Sequence, residues 1–379
     1  MRIQELLLEA GPAIGRKYQH IEDLVFTNGS HGGLHAVERL RDMESSGGSI
    51  ELKWDGSPVV YWGRDEQGRF SLIPKNAWEY LKRGKAEVAP GVPTAMYSPK
   101  DIQRFILGTG KSNTDEEQHQ RQAYAQSMSE LWAYFERISP QKGYIEGGIL
   151  FSPEQPAQLN AKTNEYEFQP NITQFHIPAQ SKLGKRIKTA KVMVAATGYY
   201  PTLGSSEETR FPNAEQLSTP DVIVQGTTYV ETAPGANTKD LNNIEKYITK
   251  NANLIDNFLA PKPGLSKPGD ILYKFFNQNL RIEGVKAKFQ DWAAKNLSQG
   301  QAQKVVNDPG LEVVLDAVEM LTKEKQQIIA ALSSGQHGDI RQTKPEGYVQ
   351  AHPGREFKRD LPGQFVKAID QATWAPRKD

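Results

Sequence analysis

Cysteine is absent from the 379 residues. That excludes disulfides, thiolate nucleophiles and cysteine-ligated zinc, and it fits a reducing cytoplasm. Long apolar runs are missing too: none reaches the length of a membrane span. The start, Met1-Arg2-Ile3-Gln4-Glu5-Leu6-Leu7-Leu8-Glu9-Ala10, reads as a short amphipathic helix with acids around an apolar run too short for a secretory signal. An excess of one charge is also lacking. Lys plus Arg number 46 against 45 Asp plus Glu, a net charge of +1, so any polynucleotide contact must come from a local patch. No P-loop is present: the glycine-rich stretch 27–33, expected as a loop, lacks its spacing and a following Lys-Ser or Lys-Thr pair. The expectation these absences leave is a cytoplasmic location and no membrane partner.

What is present centres on Glu51-Leu52-Lys53-Trp54-Asp55-Gly56-Ser57-Pro58, which runs into Val59-Val60-Tyr61-Trp62. A β-prone run, Asp-Gly and a second β-prone run read as strand, tight turn, strand, and by that reading Lys53 is an ordinary strand-end lysine. At average residue usage a Lys-x-Asp-Gly tetrad arises by chance in roughly one chain in ten of this length, so it needs partners. They follow in a fixed order. Tyr144-Ile145-Glu146-Gly147-Gly148-Ile149-Leu150-Phe151 supplies an acidic strand, Pro345-Glu346-Gly347-Tyr348-Val349 a carboxylate before glycine, and Gln364-Phe365-Val366-Lys367-Ala368-Ile369 a lysine flanked by apolar residues.

Lysine, acid, acid, lysine in that order resembles the covalent nucleotidyltransferase superfamily: the ATP-dependent DNA and RNA ligases and the mRNA capping enzymes. Lys53 to Gly56 matches the nucleophile motif and Glu346 to Val349 the later Glu-Gly-aliphatic motif. Lys367 best matches the closing lysine, with Lys358 a second candidate. His20-Ile21-Glu22-Asp23-Leu24-Val25-Phe26, which alternates toward a short strand or docking segment, and Val366-Lys367-Ala368-Ile369-Asp370 are also similar to ligase-like proteins of tailed phages, whose compartment is the host cytoplasm.

The resemblance implies a lysyl–nucleotide intermediate, and elementary chemistry says why these residue types suit it. A lysine amine, with an ordinary pKa of about 10.4, becomes nucleophilic when partial desolvation and neighbouring cations lower that value. Lys367 and Lys75 are the candidate cations and α-phosphate ligands; Lys75, in Phe70-Ser71-Leu72-Ile73-Pro74-Lys75-Asn76, is equally a surface lysine at a strand end. ATP arrives with Mg²⁺ or Mn²⁺, and one or two carboxylates suffice to hold such a hard cation. Glu146 and Glu346, with Asp55 close by, are the implied metal residues. The nucleotide-binding set is Lys53, Asp55, Gly56, Lys75, Glu146, Tyr199, Glu346 and Lys367. Tyr199 or Tyr200, after Val192-Met193-Val194-Ala195-Ala196-Thr197-Gly198, stacks on the nucleobase or packs a turn before Pro201.

One departure stands out. Ligase relatives read Gly-Glu or Gly-Asp in the third motif, where this chain has Gly147-Gly148. Either Glu146 serves from a shifted register or that carboxylate is missing, and a one-residue slip in a strand reverses its face.

The rest of the chain supplies frame and substrate contacts. Ser98-Pro99-Lys100-Asp101 and Thr114-Asp115-Glu116-Glu117 are helix starts. The second of these helices runs to about Ile138, with Tyr124, Met128, Leu131, Trp132 and Phe135 as a core stripe. His31, His35 and Glu38 have a spacing that suits metal ligands on a helix, but with no third or fourth ligand nearby they read as solvent-facing residues. Lys182, Lys185, Arg186, Lys188 and Lys191 form a basic segment, either a solvated face or, with the following tyrosines, a grip on a single strand. Segments 238–259, 269–298 and 309–333 are helical. Lys262, Lys267, Lys274, Arg281, Lys286, Lys288 and Lys295 in that block are phosphate-contact candidates.

The expected architecture is an α+β nucleotidyltransferase (ATP-grasp-like ligase) core of antiparallel sheets over 1–236 and 337–379, with an inserted helical subdomain over 237–336. Only a dozen residues follow Lys367, too few for the OB domain of DNA ligases and capping enzymes, so RNA ends are favoured over DNA ends as partners. The expected activity is ATP-dependent polynucleotide ligation, with AMP transferred from lysine to a 5′-phosphate. The alternatives are nucleotidyl transfer to an RNA cap or a protein, and a non-catalytic nucleotide- or nucleic-acid-binding module.

Overall fold

The computed structural model describes residues 19–45, 50–52, 54, 56–109, 114–171, 173–208, 213–226, 228–229, 238–265, 267–278, 285–334, 340–343, 348–350 and 366–367. In chain order the elements begin with β1 (Gln19–His20), α1 (Leu24–Ser45), β2 (Ile50–Leu52), β3 (Val59–Arg64), β4 (Phe70–Pro74), α2 (Lys75–Lys82), β5 (Glu87–Ala89) and β6 (Val92–Pro93). There follow α3 (Pro99–Gly108), α4 (Asp115–Glu130), α5 (Trp132–Arg137), β7 (Gly143–Phe151), β8 (Gln158–Asn160), β9 (Glu165–Phe168), β10 (Gln174–Pro178), α6 (Lys182–Ile187) and β11 (Val192–Tyr200). Next come β12 (Val222–Gln225), β13 (Thr228–Tyr229), α7 (Thr238–Lys250), α8 (Ala252–Leu259), α9 (Pro268–Gln278), α10 (Val285–Asn296) and α11 (Gln299–Val306). The chain closes with α12 (Pro309–Ser334), β14 (Arg341–Thr343), β15 (Tyr348–Gln350) and β16 (Val366–Lys367). The protein is thus α+β with mostly antiparallel strands; β1–β16 and β11–β12 are parallel.

Two compact units share these elements. Of the described residues, the first comprises those within Trp54–Thr228 and 340–343. Its main sheet has the order β12-β11-β7-β3-β4. All nine residues of β7 are buried, because the strand is central and covered on both faces. The consecutive Tyr61 and Trp62 point to opposite faces: Tyr61 stacks on Trp78 of α2 at 4.3 Å, and Trp62 meets Phe135 of α5 edge-on at 5.1 Å. A second sheet, β14-β10-β9-β8, lies in the same unit. The expected helix starts are present, with Ser98 accepting from the Asp101 N–H and Thr114 from the Glu117 N–H. The stripe of Met128, Leu131 and Phe135 is buried in the core.

Of the described residues, the second unit comprises those within 19–52, 229–334, 348–350 and 366–367. The helices expected as an inserted subdomain therefore group with α1 and with the strands β1, β2, β15 and β16. α1 packs on α7, α8 and α12. Under it, Lys325 of α12 and Glu22 form a buried ion pair at 2.5 Å. Stretch 27–33, read as a glycine-rich loop, and 24–26, read with His20 as strand-like, belong instead to α1, which bends at Gly29 (φ 61°, ψ −141°). The cause is distant in sequence: the Asp256 carboxylate accepts from the Ser30 N–H at 2.7 Å and from its hydroxyl at 2.8 Å. It caps the second half of the helix as an N-cap side chain does.

Candidate functional site

The expected hairpin over Lys53–Gly56 does not form. β2 pairs with β15, while β3 pairs with β4 and β7 in another sheet. In the second unit the sheet order is β1-β16-β15-β2-β13. Leu52, the residue before Lys53, pairs with Tyr348, the second residue after Glu346. Val349 pairs with Lys367, and Lys367 with His20. β2 is therefore the neighbour of β15 from the far end of the chain, and β15 of β16. Lys53, Asp55, Glu346 and Lys358 lie outside the described residues, as do 1–10 and Arg281; of Lys367 the strand position alone is described.

The first unit has a cluster of its own on one face of β7. Glu146 lies between Tyr61 of β3 and Gly198 of β11 in register. Its carboxylate accepts from the Tyr200 hydroxyl at 2.7 Å, and the same hydroxyl is 3.2 Å from Glu208 Oε2. Burial first, then the neighbouring Glu146, Tyr61 and Glu208, push the Tyr200 hydroxyl far above its ordinary pKa. It stays a donor, and a phenol has one proton to share between two carboxylates. Gly198 makes room for the second of them: a Cβ there would stand 2.3 Å from Glu208 Oε1. Glu146 and Glu208 thus present the oxygen donors that a hard divalent cation takes.

Gly148, where the ligase pattern has a carboxylate, lies against Gly56. A Cβ on Gly148 would stand 2.6 Å from the Gly56 carbonyl oxygen, and one on Gly56 would stand 2.2 Å from the Gly148 carbonyl carbon. The Ser57 N–H donates to the Ile149 carbonyl at 2.8 Å and locks the crossing. Glu146 and Gly148 are two residues apart, so they share a face of β7. The shift in register moves the carboxylate about 6.6 Å along the strand without turning it over. Trp54, on the other side of Asp55, is buried and stacks on Phe175 of β10 at 4.9 Å.

Other expected residues are dispersed. Lys75 opens α2 instead of ending a strand, and its side chain is exposed. Tyr199 pairs with Ile145 and so faces away from Glu146; its hydroxyl donates to the Lys142 carbonyl, and its ring covers Gly143. Tyr200 is the partner of Glu146, packed among Tyr61 and Trp78. His35 accepts from the Arg39 guanidinium at 3.1 Å, while His31 and Glu38 are exposed on α1. In the helical block Lys262 pairs with Asp308, Lys267 with Asp270, and Lys286 with Glu312 and Asp316. Glu208 was not anticipated; its only local signal is Gly198, and that signal is legible only once the strand is folded. Among the described residues no helix is long and apolar enough to cross a membrane.

A model for a family of unknown function (DUF6267) matches residues 17–77 and 109–358 of the chain. No curated protein and no solved structure matches it.

Proposed function

Because the chain belongs to the DUF6267 family, whose function is not established, its activity has to be argued from its residues, and we propose that it is an ATP-dependent polynucleotide ligase of the RNA-ligase kind. One observation carries the reading. The strand that delivers Lys53, the strand that leaves Glu346-Gly347 and the strand that holds Lys367 are hydrogen-bonded neighbours, through Leu52 with Tyr348 and Val349 with Lys367. A lysine at an isolated turn has no need of two such partners from the far end of the chain.

In the proposed reaction the Lys53 amine attacks the α-phosphate of ATP. A P–N bond forms, the bond to pyrophosphate breaks, and the amine loses a proton. The positive charge of Lys367 favours the neutral amine before attack and balances the phosphate afterwards. A polynucleotide 5′-phosphate oxygen then displaces the lysine, and a 3′-hydroxyl displaces AMP to close the phosphodiester. When bound with the nucleotide, Mg²⁺ would offset phosphate charge during transfer.

The Gly148–Gly56 contact favours a second reading, a nucleotide-binding module without transfer chemistry, because it leaves no room for the third-motif carboxylate. Incubation with ATP labelled in the α-phosphate, with Mg²⁺ or Mn²⁺, separates the two. Label that survives denaturation, is lost in Lys53→Ala and passes to 5′-phosphorylated RNA is the expected result. Label passed to a capped RNA end or a protein instead moves the acceptor. Binding that denaturation reverses leaves the module.

A further inference from the structure

The sheet β14-β10-β9-β8 carries a cluster that ligation does not use. Glu165 and Glu167 are two apart on β9 and share a face; His176 of β10 is in register with Glu167. The imidazole Nδ1 lies 3.3 Å from Glu167 Oε1 and 3.9 Å from Glu165 Oε2. One donor atom from each of the three residues lies within 4.8 Å of the other two, and His176 is 6% exposed. A cation about 2.0–2.2 Å from imidazole nitrogen and carboxylate oxygen holds its ligands roughly 3.0–3.4 Å apart at octahedral to tetrahedral angles. The cluster therefore needs only a small closure around Glu165.

The carboxylates are also fixed by hydrogen bonds, two of them on the oxygens nearest the imidazole and one on the far oxygen of Glu167. Asn160 donates to Glu167 Oε1 at 2.8 Å, Gln174 to Glu167 Oε2 at 3.1 Å, and Arg341 of β14 to Glu165 Oε2 at 2.6 Å. Carboxylate ligands in metal sites are hydrogen-bonded in this way. We propose that Glu165, Glu167 and His176 bind one first-row transition-metal dication of the Zn²⁺ or Mn²⁺ type, with water completing its shell. The imidazole nitrogen selects this class over Mg²⁺ and Ca²⁺, which take oxygen shells. Bound there, the ion fastens β9 to β10 in a sheet that also anchors Trp54 through Phe175.

The rival is an ion-pair network in which a protonated His176 lies between the carboxylates and Arg341 completes the charge balance. The two differ in sign. A metal competes with the imidazole proton, so its binding weakens as pH falls. The Arg341 cation opposes a metal, so its removal strengthens binding, whereas it only weakens a network.

The test uses the untagged full chain, stripped with chelator and free of nucleotide, titrated calorimetrically with Zn²⁺ and with Mn²⁺ in excess Mg²⁺. One equivalent should bind, with affinity reduced roughly tenfold or more in His176→Gln and in Glu167→Gln and raised in Arg341→Gln. Absence of a saturable equivalent, equal affinity in the His176 and Glu167 variants, displacement by equimolar Mg²⁺, or weaker binding in Arg341→Gln would each overturn the site. If circular dichroism shows that His176→Gln does not fold, the sign of the Arg341→Gln effect decides alone. The ligase reading is untouched by either result, because no nucleotide enters the experiment.

Discussion

At the scale of single residues, position 148 decides how the resemblance to ligases is to be used. Glu146 was legible in the sequence as the acid of a β-prone run. What was not legible was that Gly56 and Gly148 cross backbone to backbone, since nothing local at either glycine announces the other. The crossing predicts that placing a carboxylate at this position, as ligases have, does harm. Gly148→Ala should cost about 1–3 kcal/mol by overpacking, read as a lower urea midpoint, and Gly148→Glu should be at least as destabilised and show no more Lys53 labelling than the natural chain. A Gly148→Glu protein as stable as the parent, or one with raised labelling, would show that the crossing does not exclude a side chain.

At the scale of elements, capping chemistry that acts within a few residues could be read directly: the Ser98 and Thr114 caps gave the starts of α3 and α4. The first part of α1, 24–33, was misread because its own sequence argues against a helix, with Gly29, Gly32 and Gly33 in one turn and a half. The side chain that starts the second half of α1, Asp256, is 226 residues from Ser30, and a window of local periodicity cannot see it. The helical unit also hides an unfavourable charge. Glu324 of α12 is 3% exposed and its Oε1 has no hydrogen-bond partner among the described residues. Burial, and secondarily Asp240, push its carboxyl above the ordinary value, with Lys323 opposing. An acid whose folded pKa is raised adds stability while protonated in both states and loses that contribution as pH rises through the folded value. Glu324→Gln should therefore stabilise the fold at pH 7 by on the order of 1 kcal/mol, read as a raised thermal midpoint. The gain should vanish below the ordinary glutamate pKa of about 4.3. A gain that persists unchanged into acid would assign it to something other than the charge.

At the scale of the whole molecule, the block 237–336 was readable as helical, yet its grouping with α1 and the motif strands was not, because that grouping rests on pairings such as Leu52 with Tyr348. Charge distribution argues in the same way. With a net charge of +1, the chain as a whole does not attract a polyanion, so the proposed RNA substrate needs a local cationic surface. In the helical block Lys262, Lys267 and Lys286 are already paired with carboxylates, and the exposed Lys274, Lys288 and Lys295 are spread over α9 and α10. Lys182, Lys185, Lys188 and Lys191, on and just after α6, are exposed, and among the described residues no carboxylate pairs with them. Four phosphate contacts to a single strand give a slope of log K against log salt of about −3, from roughly −0.7 per contact. Filter binding of 5′-phosphorylated single-stranded RNA across a salt series should show a slope of that size. Replacing the four lysines together by glutamine should bring it close to zero, while Lys286→Gln should leave it in place. An unchanged slope in the fourfold variant would move the polynucleotide off α6, and with it the argument that a neutral chain meets its substrate through this one segment.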